Sequence, residues 1–265
     1  MRVLISGSSG RMSKRIISLM ANDKEIEAVY AIEKKNHKDI GKKLTEIVGI
    51  EAKNIDNEVT DDIKKVIETI DVVIEFTTPK ATLDHIEEAK KHKKAIVIGT
   101  TGFNKKEFDE IKDASFEIPI FISPNMSIGV NLVFNLLRKI SKSLPLDYDV
   151  EIIETHHKFK KDAPSGTAKK MAKIIAEARG QNPDEVIIYG RSGHTDKKPD
   201  NQICIHALRG GSVVGRHQVK FISDEDEIEI IHSASSRDVF AKGAILAAKF
   251  INKKKKGLFT TEDII

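Results

Sequence analysis

The feature that most constrains the fold is a regular alternation of short apolar runs and helical patterns over the first 122 residues. Apolar runs typical of buried strands lie at residues 3–6, 27–32, 72–76, 95–99 and 119–122. Helical patterns lie at residues 11–21, 61–70, 82–92 and 105–114, whereas residues 34–57 are polar and show no clear period. This order predicts a parallel sheet that helices cover on both faces. Because crossovers between parallel strands are right-handed, it favours a doubly wound, Rossmann-like α/β sheet.

The pattern changes after Asn125. A helical pattern at 130–143 is followed by a strand-like segment at 148–155 and a second helical pattern at 166–179. Four more strand-like segments then follow, at 186–189, 202–207, 213–222 and 227–232. Gly210, Gly211 and the turn at 223–226 separate the later strands as hairpin turns do. Several strands with one long helix among them are typical of a mixed or antiparallel sheet. We therefore predict a second, α+β domain, and a helix at 237–251 that returns to the first domain.

Composition limits the class of protein further. The 44 Lys and Arg residues nearly balance the 40 Asp and Glu residues and are scattered among them, so no nucleic-acid partner is predicted. No apolar run approaches the roughly 20 residues of a membrane-spanning helix, and the first residues lack the pattern of an export signal. Cys204 is the only cysteine, and no histidines show the spacing of metal ligands. We therefore expect a cytoplasmic protein with no membrane contact and no metal site.

A glycine turn follows the first predicted strand and opens the first predicted helix. Such a turn lets backbone N–H groups approach a pyrophosphate, although Ser9 and Met12 replace the second and third glycines of the dinucleotide fingerprint. Glu33 ends the second strand, where a carboxylate accepts hydrogen bonds from a ribose, and Lys34 beside it suits a 2′-phosphate. Use of both NADH and NADPH is therefore predicted. The cofactor residues in this region are Gly7, Ser8, Ser9, Gly10, Arg11, Met12, Glu33 and Lys34.

Three later loops follow predicted parallel strands at the same edge of the sheet. In an open α/β sheet, ligands bind outside the carboxyl ends of the strands. Any one of these loops alone is equally a simple turn, but their position at one edge favours a role in lining the nicotinamide. The residues predicted to do so are Phe76, Thr77, Gly99, Thr100, Thr101, Ser123, Pro124, Asn125 and Met126.

The most informative stretch is residues 154–168, where two histidines and several lysines precede Ser-Gly-Thr. Strand alternation places His156 and His157 on opposite faces, so they are poor joint ligands for one metal. Ser165, Gly166 and Thr167 begin a predicted helix, whose N–H groups and neighbouring cations suit the carboxylates of an anionic substrate. A histidine or lysine here is able to donate the proton that accompanies hydride delivery to an unsaturated carbon. A solvated basic loop with a serine N-cap is the alternative for this stretch alone.

With these motifs, the chain resembles the 4-hydroxy-tetrahydrodipicolinate reductase family, also called dihydrodipicolinate reductase. The stretch from the two histidines through Asp-Ala-Pro-Ser-Gly-Thr is highly specific for that family, whereas the glycine turn is not. The resemblance runs over essentially the whole chain, and the residues that carry it are 7–12, 33, 99–103, 125, 127–131, 151–154, 156–157, 160–168, 191–195, 209–211, 214–217 and 235–237.

The resemblance implies a homotetramer with a dinucleotide-binding domain at 1–126 plus 237–265 and a substrate-binding and tetramerisation domain at 127–236. The implied reaction is the NAD(P)H-dependent reduction of a small dicarboxylate, 4-hydroxy-tetrahydrodipicolinate, to tetrahydrodipicolinate with loss of water, in lysine and diaminopimelate biosynthesis. Carried over by position, His156 and Lys160 match the proton-donating residues. His157, Lys160, Gly166 and Thr167 match the residues that bind the substrate carboxylates, and Ser165 is grouped with them.

Two departures from the family pattern concern the cofactor. Thr78 stands where some members have an arginine that contacts the cofactor phosphate, and Lys34 replaces an arginine beside the acidic ribose ligand. The preference between NADH and NADPH therefore stays open.

Two other functions compete with the reductase. One is a Rossmann reductase that acts on a different aldehyde or imine, and the joined His-His-x-x-Lys and Ser-Gly-Thr motifs disfavour it. The other is a nucleotide-binding sensor without catalysis, which His156 and Lys160 disfavour because a sensor has no need of a proton donor.

Overall fold

The computed structural model describes residues 1–194, 197–199 and 201–265. The chain divides into one unit of residues 1–128 and 238–265 and another of residues 129–237. None of the helices among the described residues combines the length and hydrophobicity needed to cross a membrane. The strands are β1 (Arg2–Ser6), β2 (Ala28–Ile32), β3 (Val59–Thr60), β4 (Val72–Glu75), β5 (Ala95–Ile98), β6 (Pro119–Ile122), β7 (Asp149–His156), β8 (Ile187–Tyr189), β9 (Ile203–Arg209), β10 (Gly215–Ile222), β11 (Glu227–Ala234) and β12 (Gly257–Phe259). The helices are α1 (Arg11–Met20), α2 (Leu44–Val48), α3 (Pro79–Lys91), α4 (Lys105–Ala114), α5 (Ile128–Ser143), α6 (Gly166–Ala178), α7 (Pro183–Val186) and α8 (Asp238–Ile251).

The first unit is built around a sheet with the strand order β12-β6-β5-β4-β1-β2-β3. All neighbouring strands in it run parallel. The order reverses between β1 and β4, where Ser6 pairs with Glu75. A reversal of this kind leaves a crevice outside the carboxyl ends of the strands. The predicted Rossmann-like sheet is confirmed.

The central strands β1, β4, β5 and β6 of this sheet are buried on both faces, as parallel strands usually are. In β1, Val3 and Ile5 pack in the cluster that includes Ile16 of α1, whereas Leu4 packs in the opposite cluster with Ile86 of α3. Burial on both faces explains why the strands are continuous apolar runs in the sequence. Helix α8 joins the first of these clusters through an apolar face that includes Ala241, Ala244 and Ile245.

Some elements of the first unit differ from the sequence expectations. Residues 61–70 form two short 3-10 turns, Ile63–Lys65 and Ile67–Thr69, instead of a helix. Ile63, Ile67 and Ile70 are buried, so their spacing imitates a helical stripe. The polar stretch at 34–57 contains α2, and the sheet gains an edge strand, β12, that was not predicted.

The second unit contains a sheet with the strand order β11-β10-β7-β9-β8. Strand β7 is parallel to β9 and antiparallel to β10, so the sheet is mixed, as predicted. The expected hairpin at Gly210 and Gly211 is wrong, because β7 lies between β9 and β10. The turn at 223–226 does join an antiparallel pair. Helices α5 and α6 pack on one face of this sheet against Val150 and Ile152.

Candidate functional site

A cleft of about 620 Å³ opens outside the carboxyl ends of β1, β2 and β4. Its walls come from the loops after these strands, from the segment after β3 and from α3. A crevice at this point is where an open α/β sheet binds its ligand. The lining residues are Gly7, Gly10, Ile32, Glu33, Lys34, His37, Asp61, Asp62, Ile63, Phe76, Thr77, Thr78, Ala81 and His85.

The glycine turn at this cleft leads into the N-terminus of α1. Gly7 has a φ of +67°, and a Cβ atom there would lie 2.9 Å from Thr77 Cγ2, so glycine is required. Gly10 caps α1 without a side chain that accepts from the first-turn N–H groups, and that turn has no acidic residue. Ser8 Oγ is buried with no hydrogen-bond partner among the described residues. Donors left open at a helix N-terminus fit the pyrophosphate of a dinucleotide.

Glu33 stands on the wall of the cleft with His37 beside it. His37 Nδ1 lies 4.0 Å from Glu33 Oε2 and 3.8 Å from Asp39 Oδ2. Asp39 accepts hydrogen bonds from Lys42 Nζ and Ser9 Oγ, each at 2.7 Å, and these bonds lower the pKa of Asp39 to about 2. This network ties the glycine turn to the loop that carries Glu33. The carboxylate is thereby held near the turn, where a ribose hydroxyl group would donate to it.

A polar network joins the ends of the neighbouring strands at the same cleft. Glu75 of β4 has no exposed side-chain area and lies 2.7 Å from His85 Nδ1. It also accepts a hydrogen bond from Thr77 Oγ1. Thr77 N in turn donates to Thr100 Oγ1 of the next strand-end loop at 3.0 Å. These contacts fix the loop that carries Thr77 and keep the buried Glu75 carboxylate satisfied.

The second unit holds another buried carboxylate, Glu154 of β7, with no exposed side-chain area. Its Oε1 accepts from Ser165 N at 2.9 Å and from Arg209 Nη2 at 2.8 Å. Its Oε2 accepts from Arg209 Nη1 at 2.8 Å and lies 2.5 Å from His156 Nδ1. Burial raises the pKa of Glu154, but hydrogen bonds from Arg209, His156 and the Ser165 N–H outweigh burial and hold the pKa below its usual range. Glu154 is therefore ionised at neutral pH.

His156 is the last residue of β7, and its ring packs against that of His217. The ring centroids are 5.1 Å apart, with an interplanar angle of 75°. Burial lowers the pKa of His156, although Glu154 raises it. Burial also lowers the pKa of His217 to about 4. Both imidazoles are therefore neutral at pH 7.

Helix α6 begins next to this pair of histidines. Ser165 is its N-cap: the Ser165 Oγ accepts from Ala168 N at 3.1 Å and lies 3.0 Å from His217 Nε2. Among the described residues, no atom beyond the helix's own backbone and the two neighbours of Gly166 lies within 4 Å of the position that a Cβ on Gly166 would take, and the first turn has no acidic residue. The start of α6 is therefore open to a carboxylate.

The loop residues predicted to bind the substrate, His157 and Lys160, precede the start of α6 in the sequence. Lys160 Nζ forms an ion pair with Asp162 Oδ1 at 2.8 Å. His157 lies just beyond β7, and its buried Nδ1 has no hydrogen-bond partner among the described residues. The loop therefore provides a cation, Lys160, and a ring nitrogen, His157 Nδ1, whose hydrogen bond a ligand would supply.

The family of this chain follows from comparison with known proteins. Residues 1–126 match the family model "Dihydrodipicolinate reductase, N-terminus", and residues 129–265 match "Dihydrodipicolinate reductase, C-terminus". The chain belongs to the dihydrodipicolinate reductase family. The 4-hydroxy-tetrahydrodipicolinate reductase of Aquifex aeolicus is 44% identical over 268 residues, which cover 100% of this chain and 98% of that protein. The enzyme of the same name from Syntrophus aciditrophicus is 43% identical over 265 residues, with the same coverage.

Solved structures agree with this assignment. A dipicolinate-bound dihydrodipicolinate reductase from Paenisporosarcina sp. TG-14 matches with a TM-score of 0.75 and 28% identity, covering 100% of this chain and 99% of that one. An amine dehydrogenase from Mycobacterium smegmatis, with a TM-score of 0.61 and 11% identity, shares the fold alone.

The structure brings some of the predicted cofactor residues of this reductase-family chain to the cleft and leaves others outside its lining. Those that line it are Gly7, Gly10, Glu33, Lys34, Phe76 and Thr77. Those that do not are Ser8, Ser9, Arg11, Met12, Gly99, Thr100, Thr101, Ser123, Pro124, Asn125 and Met126. Met126 is buried in the core of the first unit, where a Cβ atom on Gly243 would lie 1.8 Å from the Met126 carbonyl oxygen. A role in cofactor binding stays a prediction for all of these residues.

Sequence reasoning missed the role of the side chains that surround Glu154 in the second unit. Arg209 is 55 residues from Glu154, and His217 is 52 residues from Ser165, so no local pattern connects them. One signal was available, since residues two apart on a strand share a face. Applied to β7, this alternation places Glu154 on the same face as His156.

Proposed function

We propose that this chain is a 4-hydroxy-tetrahydrodipicolinate reductase, which uses NADH or NADPH to reduce 4-hydroxy-tetrahydrodipicolinate to tetrahydrodipicolinate with loss of water. The reaction belongs to lysine and diaminopimelate biosynthesis. The observation that carries the proposal is the family match over the whole chain, by both family models and by relatives that are 43% and 44% identical. The two sites described above supply what this chemistry needs.

In this proposal the first unit binds the dinucleotide. The open N–H groups at the start of α1 hold the pyrophosphate. Glu33 accepts hydrogen bonds from the ribose hydroxyl groups, and Lys34 offers a cation to a 2′-phosphate. The loops after β4, β5 and β6 surround the nicotinamide. When bound, the reduced nicotinamide supplies a hydride.

The second unit binds the dicarboxylate and provides the proton. The start of α6, with Ser165, Gly166 and Thr167, binds one carboxylate, and His157 and Lys160 bind the substrate beside it. A dianion next to His156 favours the charged imidazole and so opposes the effect of burial. Charged His156 carries its transferable proton on Nε2, because Nδ1 faces Glu154.

Proton donation completes the reduction. Loss of the 4-hydroxyl group and a hydrogen of the neighbouring carbon as water leaves a conjugated double bond in the substrate. A hydride would add to one carbon of that double bond, and as negative charge develops on the other carbon, His156 Nε2–H donates its proton to it. Lys160 supplies positive charge to the dianion and a second donor. Glu154 stays ionised throughout and keeps the His156 cation from being an unpaired buried charge.

The test is cofactor oxidation by the purified protein with substrate made in situ. The preceding synthase would form the substrate from pyruvate and aspartate semialdehyde, and NADH and NADPH would be supplied separately. We expect oxidation only when the synthase is present. If the protein binds the cofactors but oxidises neither with the synthase present, the activity is that of another reductase or of a sensor.

We also propose that the enzyme is a cytoplasmic homotetramer. Leu208 and Ile231 are 47% and 45% exposed, and the strand register places both on the face of the second sheet opposite to Val150 and Ile152. Exposed apolar side chains on a sheet face favour association. Light scattering should give a mass about four times the 29.5 kDa of the chain, and a monomer would exclude the proposal. Cell fractionation checks the location.

A further inference from the structure

Glu154 holds two elements of the second unit at once. Its Oε2 faces His156 Nδ1, and its Oε1 accepts from the backbone N–H of Ser165, the residue that caps α6. Arg209 donates one hydrogen bond to each oxygen, both at 2.8 Å. This paired arrangement fixes the plane of the carboxylate. The carboxylate therefore fixes His156 relative to the start of α6.

The charge state of Glu154 determines which nitrogen of His156 carries a proton. An ionised carboxylate is only an acceptor. The hydrogen in the 2.5 Å contact therefore sits on His156 Nδ1. In the neutral ring Nε2 is then an acceptor, and in the charged ring it is a donor.

The position of the His156 ring is restricted on its other sides as well. A Cβ atom on Gly215 of β10 would lie 3.1 Å from His156 Nε2 and 3.5 Å from Cδ2. The ring of His217 meets it edge to face. These neighbours leave the ring little room to shift as a whole. The ring therefore depends on Glu154 for its tautomer and on its neighbours for its place.

We propose that Glu154, held by Arg209, is a positioning residue of the reductase: it fixes the Nδ1-protonated form of His156 and aligns that ring with the substrate-binding start of α6. This inference rests on the proposed function for its kinetic consequences. The state of the His156 ring, however, is a property of the protein alone. Charged and titratable groups near the ring are Glu154, Arg209, Lys160 and His217.

The same strand offers a matched control. Glu151 is also a carboxylate of β7 with an arginine and a histidine partner: Arg191 Nη2 lies at 2.7 Å and His206 Nε2 at 2.8 Å. It lies three positions before Glu154, so alternation places it on the opposite face. Glu151→Gln therefore removes the carboxylate from a comparable charged cluster without changing a contact of His156.

The experiment compares Glu154→Gln with Glu151→Gln, after light scattering has shown that both keep the assembly of the parent enzyme. In Glu154→Gln we expect kcat at pH 7 to fall about 100-fold, since loss of acid catalysis costs roughly that factor or more. Because the carboxylate favours the charged imidazole, its loss should also move the alkaline limb of the pH profile to lower pH by about one unit. Glu154→Asp should keep the limb near its original pH, and Glu151→Gln should stay within about twofold of the parent.

A second measurement reads the ring directly. In protein labelled with ¹⁵N-histidine, we expect His156 to be Nδ1-protonated when neutral in the parent and in Glu151→Gln, and to become a mixture of tautomers in Glu154→Gln. An unchanged tautomer, or a loss of kcat in Glu154→Gln with no movement of the pH limb, would show a merely structural role and overturn the proposal.

The two proposals fail in different ways. If the parent turns over no substrate, the proposed function fails, and the ¹⁵N measurement still decides whether Glu154 sets the ring. Should Glu154→Gln not fold, Arg209→Gln replaces it, because it leaves the carboxylate in place but removes both of its clamping bonds. That variant should lower kcat at least tenfold and broaden the His156 resonances, and unchanged values of both would overturn the proposal.

Discussion

The cleft of the first unit contains a site formed mainly by backbone groups, whereas the histidine cluster of the second unit, Glu154, His156, Arg209 and His217, is formed by side chains. In the cleft, the proposed pyrophosphate site is mostly backbone: Gly7 has a positive φ and Gly10 caps α1 without a side chain. In the cluster, the site is made of interlocked side chains around Glu154. A site made of glycine backbone depends on the absence of a Cβ atom at those positions. A network of buried side chains depends on the presence of every hydrogen-bond partner. The two regions should therefore respond to substitution in different ways.

The largest effect on turnover is expected in the second unit, from substitution of the two residues proposed to donate the proton. His156→Gln should lower kcat about 100-fold or more, because the acid is lost. Lys160→Ala should lower kcat comparably and also raise KM, because it removes positive charge from the substrate site. Both variants should bind NADH as the parent does, which fluorescence titration measures. Unchanged turnover in either folded variant would remove that residue from the mechanism.

The next largest effect is a pH dependence of stability that belongs to the cluster. Burial lowers the pKa of His217 to about 4 in the folded chain, against roughly 6.5 when unfolded. The unfolded chain therefore binds more protons between these values, so the stabilising effect is present above pH 6.5 and is lost as the pH falls toward 4. Between pH 7 and pH 5 this loss amounts to about 2 kcal/mol in the free energy of unfolding.

Urea unfolding at the two pH values, with the parent compared with His217→Gln, isolates this contribution. The pKa values of His156 and His232 are also lowered by burial, so the parent loses stability from more than one histidine. The difference between the two proteins is the relevant quantity. His194→Gln, at an exposed histidine, is the control and should follow the parent. An equal pH slope in the parent and His217→Gln would refute the assignment.

The contrast between backbone and side-chain sites also explains how far sequence reasoning reached. The parallel sheet was predictable because continuous apolar runs indicate strands that are buried on both faces. The glycine turn was predictable because glycine indicates a backbone conformation that other residues rarely adopt. Residues 61–70 were wrongly predicted as one helix because three buried isoleucines have helical spacing, although Ile63 and Ile67 begin two separate turns and Ile70 follows the second. Strand β12 was missed because Gly257–Phe259 is too short to show any period.

The interior of the second site was beyond local patterns for a different reason. His156, Lys160 and the start of α6 lie within one stretch of sequence, so they were found together. Arg209 comes from β9 and His217 from β10, and only the insertion of β7 between those strands brings them to Glu154. The expected hairpin at Gly210 and Gly211 would have placed β9 next to β10 instead. An error in strand order therefore concealed the partners of the site.

Gly99→Ala tests the cleft by adding one carbon atom. A Cβ atom there would lie 2.1 Å from the ring of Phe76, so the ring must move, and overpacking of this kind costs about 1–3 kcal/mol. Because Phe76 lines the cleft, we expect NADH to bind about tenfold more weakly, as the lower part of that range implies. The KM for the dicarboxylate substrate, measured at saturating NADH, should be unchanged. Phe76→Leu alone separates loss of the ring from its displacement, and parent-like NADH affinity in Gly99→Ala would show that the ring does not shape the site.

Gly166→Ala should give the smallest effect and the most selective one. Apart from the backbone of α6 and the two neighbours of Gly166, no atom in the described part of the chain lies within 4 Å of the new Cβ, and the φ of Gly166 is not in the left-handed region. The fold and the helix therefore tolerate alanine there. The methyl group would instead occupy space that the proposed substrate carboxylate uses at the start of α6. We expect KM for the dicarboxylate to rise about threefold to tenfold with kcat nearly unchanged, because such binding is shared by ground state and transition state. Steady-state kinetics at saturating NADH measures both. A fall in kcat at constant KM would mean that this turn acts on the chemical step, and would place it with His156 rather than with the binding surface.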